Sequence, residues 1–98
     1  MIIRGGENVY PKEVENVISA MPGVSEVAVV GKEDEKYGEE VVAFLVRMDV
    51  HLNETQVIDF CKKNLAYYKC PKEIFFIDAL PKNSVGKVQK NELRHALK

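Results

Sequence analysis

One amphipathic helix is predicted between Pro11 and Met21. Its apolar side chains fall at i, i+3, i+4 and i+7, which places them on one helical face: Val14, Val17, Ile18 and Met21. Pro11 suits the first turn, where the N–H that proline lacks would have no intrahelical partner. The Met-Pro-Gly sequence at positions 21–23 is expected to end this helix.

Two further helices are predicted later in the chain. Asn53 and Gln56 are three residues apart and match a capping box, so a helix is expected to begin there. Pro71 lies beyond the end of this helix, whose apolar stripe consists of Val57, Phe60, Cys61 and Leu65. A last short helix is expected over residues 89–97, with an apolar side made of Leu93, Ala96 and Leu97.

Three apolar runs predict strands, at residues 24–31, 40–48 and 73–78. The run at 40–48 is apolar on both faces, which is typical of a central strand. The runs at 24–31 and 40–48 are close enough in sequence to pair as antiparallel neighbours. Residues 1–4 could add a short strand before the two glycines that follow.

The order of these elements predicts one α+β domain over residues 1–98. We expect a small sheet of about three strands flanked by helices, with a short N-terminal hairpin or loop and a C-terminal turn-helix. The turn covers residues 81–87. The same order fits a ferredoxin-like module with a four-stranded sheet, whose last strand would run through this turn. Because such folds serve many unrelated functions, the motifs have to identify the activity.

Charge is divided unevenly along the chain, although the formal net charge is only −1. Residues 1–59 carry 5 basic and 12 acidic side chains, whereas residues 60–98 carry 9 basic and 3 acidic ones. Two solvated faces would explain this division, and a basic half would also suit an anionic small ligand such as a nucleotide. The low net charge argues against a nucleic-acid-binding protein.

Several other classes of protein are disfavoured. Cys61 and Cys70 form no CxxC motif and have no nearby histidine, so we expect two free thiols in a reducing cytoplasm rather than a metal or redox site. His51 and His95 are isolated in the sequence, and no catalytic role is expected for either. The longest apolar run has six residues, too few for a transmembrane helix. Residues 1–6 leave no room for a signal peptide.

The segment PKNSVGK at 81–87 ends in a Gly-Lys pair that suggests a phosphate-binding loop. Pro81 stands where that motif needs glycine, and Val88 replaces the Ser or Thr that would bind magnesium. The phosphate-loop interpretation therefore fails, and Lys87 by itself reads as a solvated turn residue. Gly5 and Gly6 in GGENVYP permit close backbone approach, but alone they read as a flexible turn.

Four segments occurring in one order change this interpretation: GGENVYPKEVE, DEKYGEEVVAFLV, YKCPKEIFFIDALP and PKNSVGKVQKNELR. Together they resemble the C-terminal lid domain of the acyl-CoA synthetases, within the superfamily of acyl-adenylate-forming, AMP-binding enzymes. The resemblance covers essentially the whole chain. It implies a reaction in which a carboxylate attacks the α-phosphate of ATP to give an acyl-adenylate, and coenzyme A then displaces AMP. The lid is expected to rotate between the two steps.

The resemblance also implies roles for individual residues. Lys87, beside Gly86, would enter the active site during adenylation, where a cation between carboxylate and α-phosphate stabilises the developing charge. Gly5, Gly6 and the adjacent Glu7 would lie against the pantetheine arm of coenzyme A. The coenzyme A phosphates would be met by basic residues of the lid: Lys36, Lys69 and Lys72. No metal ligand is expected, because Mg²⁺ would arrive bound to ATP.

The remaining parts of such an enzyme would lie in a large N-terminal domain that binds ATP and the acid. That domain is absent from the chain, so the isolated chain is expected to be inactive. GGENVYP is similar to the corresponding segment of fatty-acyl, aryl and related acid–CoA ligases. In the C-terminal segment, Val85 stands where Ser or Thr is common in the family, and Lys90 stands where Arg is frequent. Two alternatives stay open: an adenylation domain that loads a carrier protein, and a non-enzymatic ferredoxin-like regulatory module.

Overall fold

A computed structural model describes residues 1–97 of the chain; Lys98, counted above in the basic half, lies outside them. The helices are α1 (Pro11–Ser19), α2 (Glu54–Asn64) and α3 (Lys90–Ala96), and a single 3-10 turn spans Tyr67–Lys69. The strands are β1 (Ile2–Arg4), β2 (Glu7–Val9), β3 (Val24–Asp34), β4 (Gly38–Arg47) and β5 (Glu73–Phe76). No helix in this part of the chain has the length and apolarity needed to cross a membrane.

All five strands belong to one sheet with β4 at its centre. The sheet order is β2-β1-β4-β3, and β5 pairs with β4. β3 and β4 form a long antiparallel hairpin, with Val29 opposite Ala43. The other side of β4 has two neighbours in succession. The first residue of β4, Gly38, lies opposite Arg4 of β1, and the later part of β4 pairs in parallel with β5. The prediction that the second apolar run is a central strand is thus confirmed.

Alternation along β3 and β4 sends side chains into two separate cores, one on each face of the sheet. The first core lies under α1 and α2 and includes Val14, Ile18, Val29, Ala43, Leu45, Val57 and Cys61. The second core lies under α3 and the segment before it and includes Ala28, Val30, Val42, Phe44, Leu80 and Leu93. The helices therefore cover both faces, and the C-terminal segment has a core of its own.

The α+β prediction is confirmed, and so is the capping box of α2. The Asn53 side chain accepts from the Gln56 backbone at 2.9 Å, and the Gln56 side chain accepts from the Asn53 backbone at 3.0 Å. The sheet has five strands rather than about three, because the short hairpin of β1 and β2 joins it. Ala96 is exposed rather than on the apolar side of α3, since Leu93 and Leu97 alone reach the second core.

The segment 81–87 forms a turn and not the last strand of a ferredoxin-like sheet. Its only strand-like pairing among the described residues is one isolated bridge, between Lys82 and Val88. The fold expected of the regulatory-module alternative is therefore wrong for this chain.

Candidate functional site

Asn83 orders the turn that presents Lys87. Its side-chain oxygen accepts hydrogen bonds from the backbone N–H groups of Val85 at 3.1 Å and Lys87 at 2.9 Å. Gly86 has a φ of +86°, a conformation that glycine adopts without strain. The Gln89 N–H donates to the Pro81 carbonyl at 2.7 Å and closes the base of the turn. The backbone of the turn is thus fixed by local hydrogen bonds.

The lysines on either side of Lys87 are neutralised by carboxylates. Lys82 pairs with Glu26, and the Lys90 ammonium lies 2.8 Å from the Glu15 carboxylate. Lys87 itself is exposed, and within residues 1–97 its ammonium has no ion-pair partner. The turn therefore offers one unneutralised cation, which suits an anion that comes from outside this chain.

Gly5 and Gly6 form the turn of the β1–β2 hairpin. Their φ angles are +57° and +85°, and a two-residue hairpin turn of type I′ needs positive φ at both positions. The Gly5 N–H donates to the Tyr37 carbonyl at 2.8 Å, which ties this turn to the one between β3 and β4. A Cβ on Gly5 would lie 3.3 Å from the Tyr37 ring, whereas a Cβ on Gly6 would meet open space. Glu7, the next residue, is exposed.

Arg4 anchors the base of this hairpin. Its guanidinium pairs with the Glu40 carboxylate, which is buried at the start of β4, and lies 4.0 Å from the centre of the Tyr37 ring. The hydrogen bond to Glu40 raises the pKa of Arg4 above its ordinary value. This pairing compensates the cost of burying the Glu40 charge and holds the glycine turn against the sheet.

A groove of about 470 Å³ runs beside the hairpin, and we call it the basic groove. Four cationic side chains line it together with two tyrosines: Arg4, Lys36, Lys62, Lys72, Tyr37 and Tyr67. Backbone N–H groups, that of Tyr37 foremost, lower the pKa of nearby Asp34, whose carboxylate lies 3.9 Å from the Lys72 ammonium. The groove keeps a cationic excess that suits phosphate groups.

The family resemblance predicts that three lysines meet coenzyme A, and the structure places two of them in this groove. Lys36 and Lys72 line it, whereas Lys69 is absent from its lining. The Lys69 ammonium lies 2.9 Å from the Glu13 carboxylate of α1, and the hydrogen bond between them raises the pKa of Lys69. An ion pair already occupies Lys69, so it is the least available of the three for an external phosphate.

The two turns lie at opposite ends of β3. Lys82, before the Lys87 turn, pairs with Glu26 near the start of the strand. Gly5 bonds to Tyr37, which lies just beyond its end. Glu26 and Asp34 are eight positions apart on β3, and an extended chain spans roughly 26 Å over that distance. A single site on another domain would therefore meet one turn or the other, and not both in one orientation.

Sequence reasoning missed Arg4, Glu40 and Glu15, which make ion pairs beside the two turns. Arg4 and Glu40 are 36 residues apart, and their pairing depends on how β1 docks against β4. One signal was available, since Glu40 is the acidic residue that directly precedes the apolar run 41–46. Residues 1–97 contain no group of three or more His, Cys, Asp or Glu side chains placed to hold a metal ion.

Residues 13–87 match the family described as the AMP-binding enzyme C-terminal domain, and the chain belongs to that family. The family prediction drawn from the four sequence segments is thereby confirmed.

Relatives and a solved structure cover nearly all of the chain. It is 51% identical over 94 residues to the long-chain-fatty-acid–CoA ligase FadD13 of Mycobacterium tuberculosis, covering 96% of the chain and 19% of that protein. It is 48% identical over 99 residues to a 2-succinylbenzoate–CoA ligase of Listeria monocytogenes, covering 99% of the chain and 21% of that protein. The crystal structure of ATP-bound MatB from Rhodopseudomonas palustris superposes with a TM-score of 0.92 at 48% identity, covering 96% of the chain and 19% of MatB. The chain thus spans about a fifth of the length of the proteins it matches.

Proposed function

We propose that residues 1–98 form the C-terminal lid domain of an ATP-dependent acid–CoA ligase. The observation that carries this proposal is the exposed Lys87 ammonium, held on an ordered turn without a counter-ion in the described residues. Family membership supports it, since the two relatives described above are named as CoA ligases. The partner domain is the larger N-terminal part of the same enzyme, because the chain spans only about a fifth of those relatives.

In the first half-reaction, Lys87 places its ammonium between the carboxylate of the acid and the α-phosphate of ATP. Both groups are anionic, and a lysine on a mobile stem holds them together and stabilises the negative charge that grows on the phosphorus oxygens. The neutralised Lys82 and Lys90 leave Lys87 as the cation that the turn presents. Gly86 lets the turn approach the bound substrates closely.

In the second half-reaction, the lid presents the other end of β3. The pantetheine arm passes the Gly5-Gly6 turn and Glu7, where the open space at Gly6 leaves room for it. The coenzyme A phosphates meet the basic groove, in particular Lys36 and Lys72. The separation of the two turns along β3 supports a rotation of the lid between the steps.

The acid is proposed to be a fatty acid or a related carboxylic acid, in line with the name of the relative at 51% identity. We assign Mg²⁺ to the ATP, since residues 1–97 offer no cluster of metal-ligating side chains. A cytoplasmic location is proposed from the two free thiols, one of them fully buried.

The proposal is tested by measuring the two half-reactions separately in the full-length enzyme. Adenylation is followed by ATP–pyrophosphate exchange, and thioester formation by supplying the acyl-adenylate and coenzyme A. Lys87→Ala is expected to lower the first rate and spare the second. Lys63→Ala is the matched control, since Lys63 is an exposed lysine of α2 without an ion pair in the described residues. An equal fall of both rates would overturn the role assigned to Lys87.

The carrier-protein alternative is tested with the same enzyme. The acid–CoA ligase proposal expects thioester formation with free coenzyme A. Transfer only to a phosphopantetheinyl carrier protein would favour the alternative instead.

A further inference from the structure

One carboxylate ties three elements together at the free edge of the sheet. β3 is an edge strand, with β4 as its one strand partner in the described part of the chain. The Glu15 carboxylate of α1 accepts a hydrogen bond from the Val29 N–H at this edge, at 2.8 Å. The same oxygen lies 2.8 Å from the Lys90 ammonium of α3. Glu15 therefore joins α1, β3 and α3 around the edge of the sheet.

Lys90 is the first residue of α3 and follows Lys87 by three positions. A constraint on Lys90 therefore acts close to the turn that carries Lys87. Upstream of the turn, Lys82 pairs with Glu26 on the same strand. The turn is thus flanked on both sides by ion pairs to elements at the free edge of β3.

The two ion pairs differ in burial, and this decides which of them matters. The side chains of Lys82 and Glu26 are 39% and 35% exposed, and such pairs contribute little because water screens them. The side chains of Lys90 and Glu15 are 30% and 16% exposed. Glu15 is also held by the Val29 N–H, so less side-chain entropy is lost when Lys90 binds to it. The Glu15–Lys90 pair is the stronger of the two constraints.

Apolar contacts alone do not give the turn a direction. Leu80 and Leu93 are buried in the second core on either side of the turn, and Val88 packs against it. Burial of this kind is non-directional and fixes how closely the segment lies on the sheet. The Glu15–Lys90 pair adds a directional contact at the start of α3, three residues after Lys87.

We propose that Glu15 is a positioning residue for adenylation, acting through Lys90 to aim the turn that carries Lys87. This inference rests on the proposed function of Lys87. Since a displacement of about 1 Å of a reacting group can cost up to a hundredfold in rate, loss of the pair lowers adenylation although neither residue touches substrate. Thioester formation, which uses the opposite end of β3, does not depend on the pair.

The test uses the full-length enzyme and four variants. Lys90→Met removes the cation of the ion pair and leaves the Glu15–Val29 hydrogen bond in place. Glu15→Gln removes the negative charge of the pair. Lys90→Arg keeps a cation in reach of Glu15. Lys32→Met is the matched control, because it breaks an ion pair with Glu73 at 3.1 Å that does not involve the turn. ATP–pyrophosphate exchange and thioester formation from acyl-adenylate are measured for each.

Lys90→Met and Glu15→Gln are expected to lower adenylation by about tenfold or more and to leave thioester formation within about twofold of wild type. Lys90→Arg is expected to restore adenylation, and Lys32→Met to change neither rate. Wild-type adenylation in Lys90→Met, or an equal loss in both half-reactions, would overturn the positioning role.

Two further readouts separate this inference from the proposed function. If Lys87→Ala lowers adenylation alone while Lys90→Met has no effect, the function stands and only the positioning role fails. Amide hydrogen exchange over residues 82–89 of the full-length enzyme is independent of activity. Exchange there is expected to accelerate in Lys90→Met and not in Lys32→Met, and unchanged exchange in Lys90→Met overturns the inference whatever the rates show.

Discussion

Asn83 holds both backbone polar groups of Lys87. Its side-chain oxygen accepts from the Lys87 N–H at 2.9 Å, and its own N–H donates to the Lys87 carbonyl at 3.0 Å. The main chain of Lys87 is therefore fixed although its side chain is exposed. A lysine presented in this way has few backbone conformations left to lose when it binds an anion.

Asn83→Ala is expected to lower adenylation in the full-length enzyme by about tenfold. The change removes the acceptor for two N–H groups, so the turn samples more conformations before Lys87 meets its substrates. The free energy of unfolding should fall by about 1 kcal/mol or less, because exposed N–H groups can bond to water instead. ATP–pyrophosphate exchange and urea denaturation measure the two effects. Asn83→Asp, which keeps the acceptor, should retain adenylation; a loss as large as that of Asn83→Ala would contradict this role.

Gly6→Asn is expected to impair thioester formation and spare adenylation. Asparagine tolerates the positive φ of this position, so the change adds a side chain with little backbone strain. Among residues 1–97, a Cβ at Gly6 meets nothing within 4 Å, so any obstruction must come from what passes it. The rate of thioester formation from supplied acyl-adenylate measures the effect. Adenylation in the same variant is the internal control, and an equal loss of both rates, or unchanged thioester formation, would contradict the pantetheine assignment.

Arg4→Met is expected to lower the free energy of unfolding of the chain by about 2–4 kcal/mol, because it leaves the buried Glu40 carboxylate without its partner. Urea denaturation measures the loss. The double variant Arg4→Met/Glu40→Met removes the unpaired charge and should recover most of the stability. A double variant as unstable as the single one would show that the guanidinium acts through its contact with Tyr37 instead.

Cys61 gives the chain a specific loss of stability at alkaline pH. Burial raises the pKa of its thiol from 9.0 to about 12. The unfolded chain loses this proton at lower pH than the folded chain does. The stabilisation that the protonated Cys61 gives the folded chain is therefore complete below about pH 9 and is lost as the pH rises towards 12. We expect a decline approaching 1.4 kcal/mol per pH unit within this window. Urea denaturation of wild type and Cys61→Ala from pH 8 to 11 isolates it, and identical pH slopes would contradict the assignment.

Local signals in the sequence were sufficient for much of the fold. The capping box of Asn53 and Gln56 lies within one helical turn, and the apolar runs of β3 and β4 were long enough to identify both strands. β2 has only three residues, too few to show a strand periodicity. The sequence therefore predicts a hairpin or a loop at the N-terminus without deciding between them, and it does not predict that β1 and β2 join the sheet.

The candidate site could be predicted only where a motif marks it. Lys87, Gly5 and Gly6 lie in recognisable segments of the sequence. Glu15 and Val29 are separated by 14 positions in the sequence, and Arg4 and Glu40 by 36 positions. Both contacts depend on how separate elements dock. No local pattern encodes such contacts, which is why Arg4, Glu40 and Glu15 were missed.

The most direct test of the account is the ratio of the adenylation rate to the thioester-forming rate in the full-length enzyme carrying Lys87→Ala. Removing a preorganised charge from a transition state typically costs about a hundredfold or more, so this ratio is expected to fall by at least that factor relative to wild type. A ratio equal to that of wild type, with both rates reduced alike or neither reduced, would contradict the assignment of the Lys87 turn to the first half-reaction.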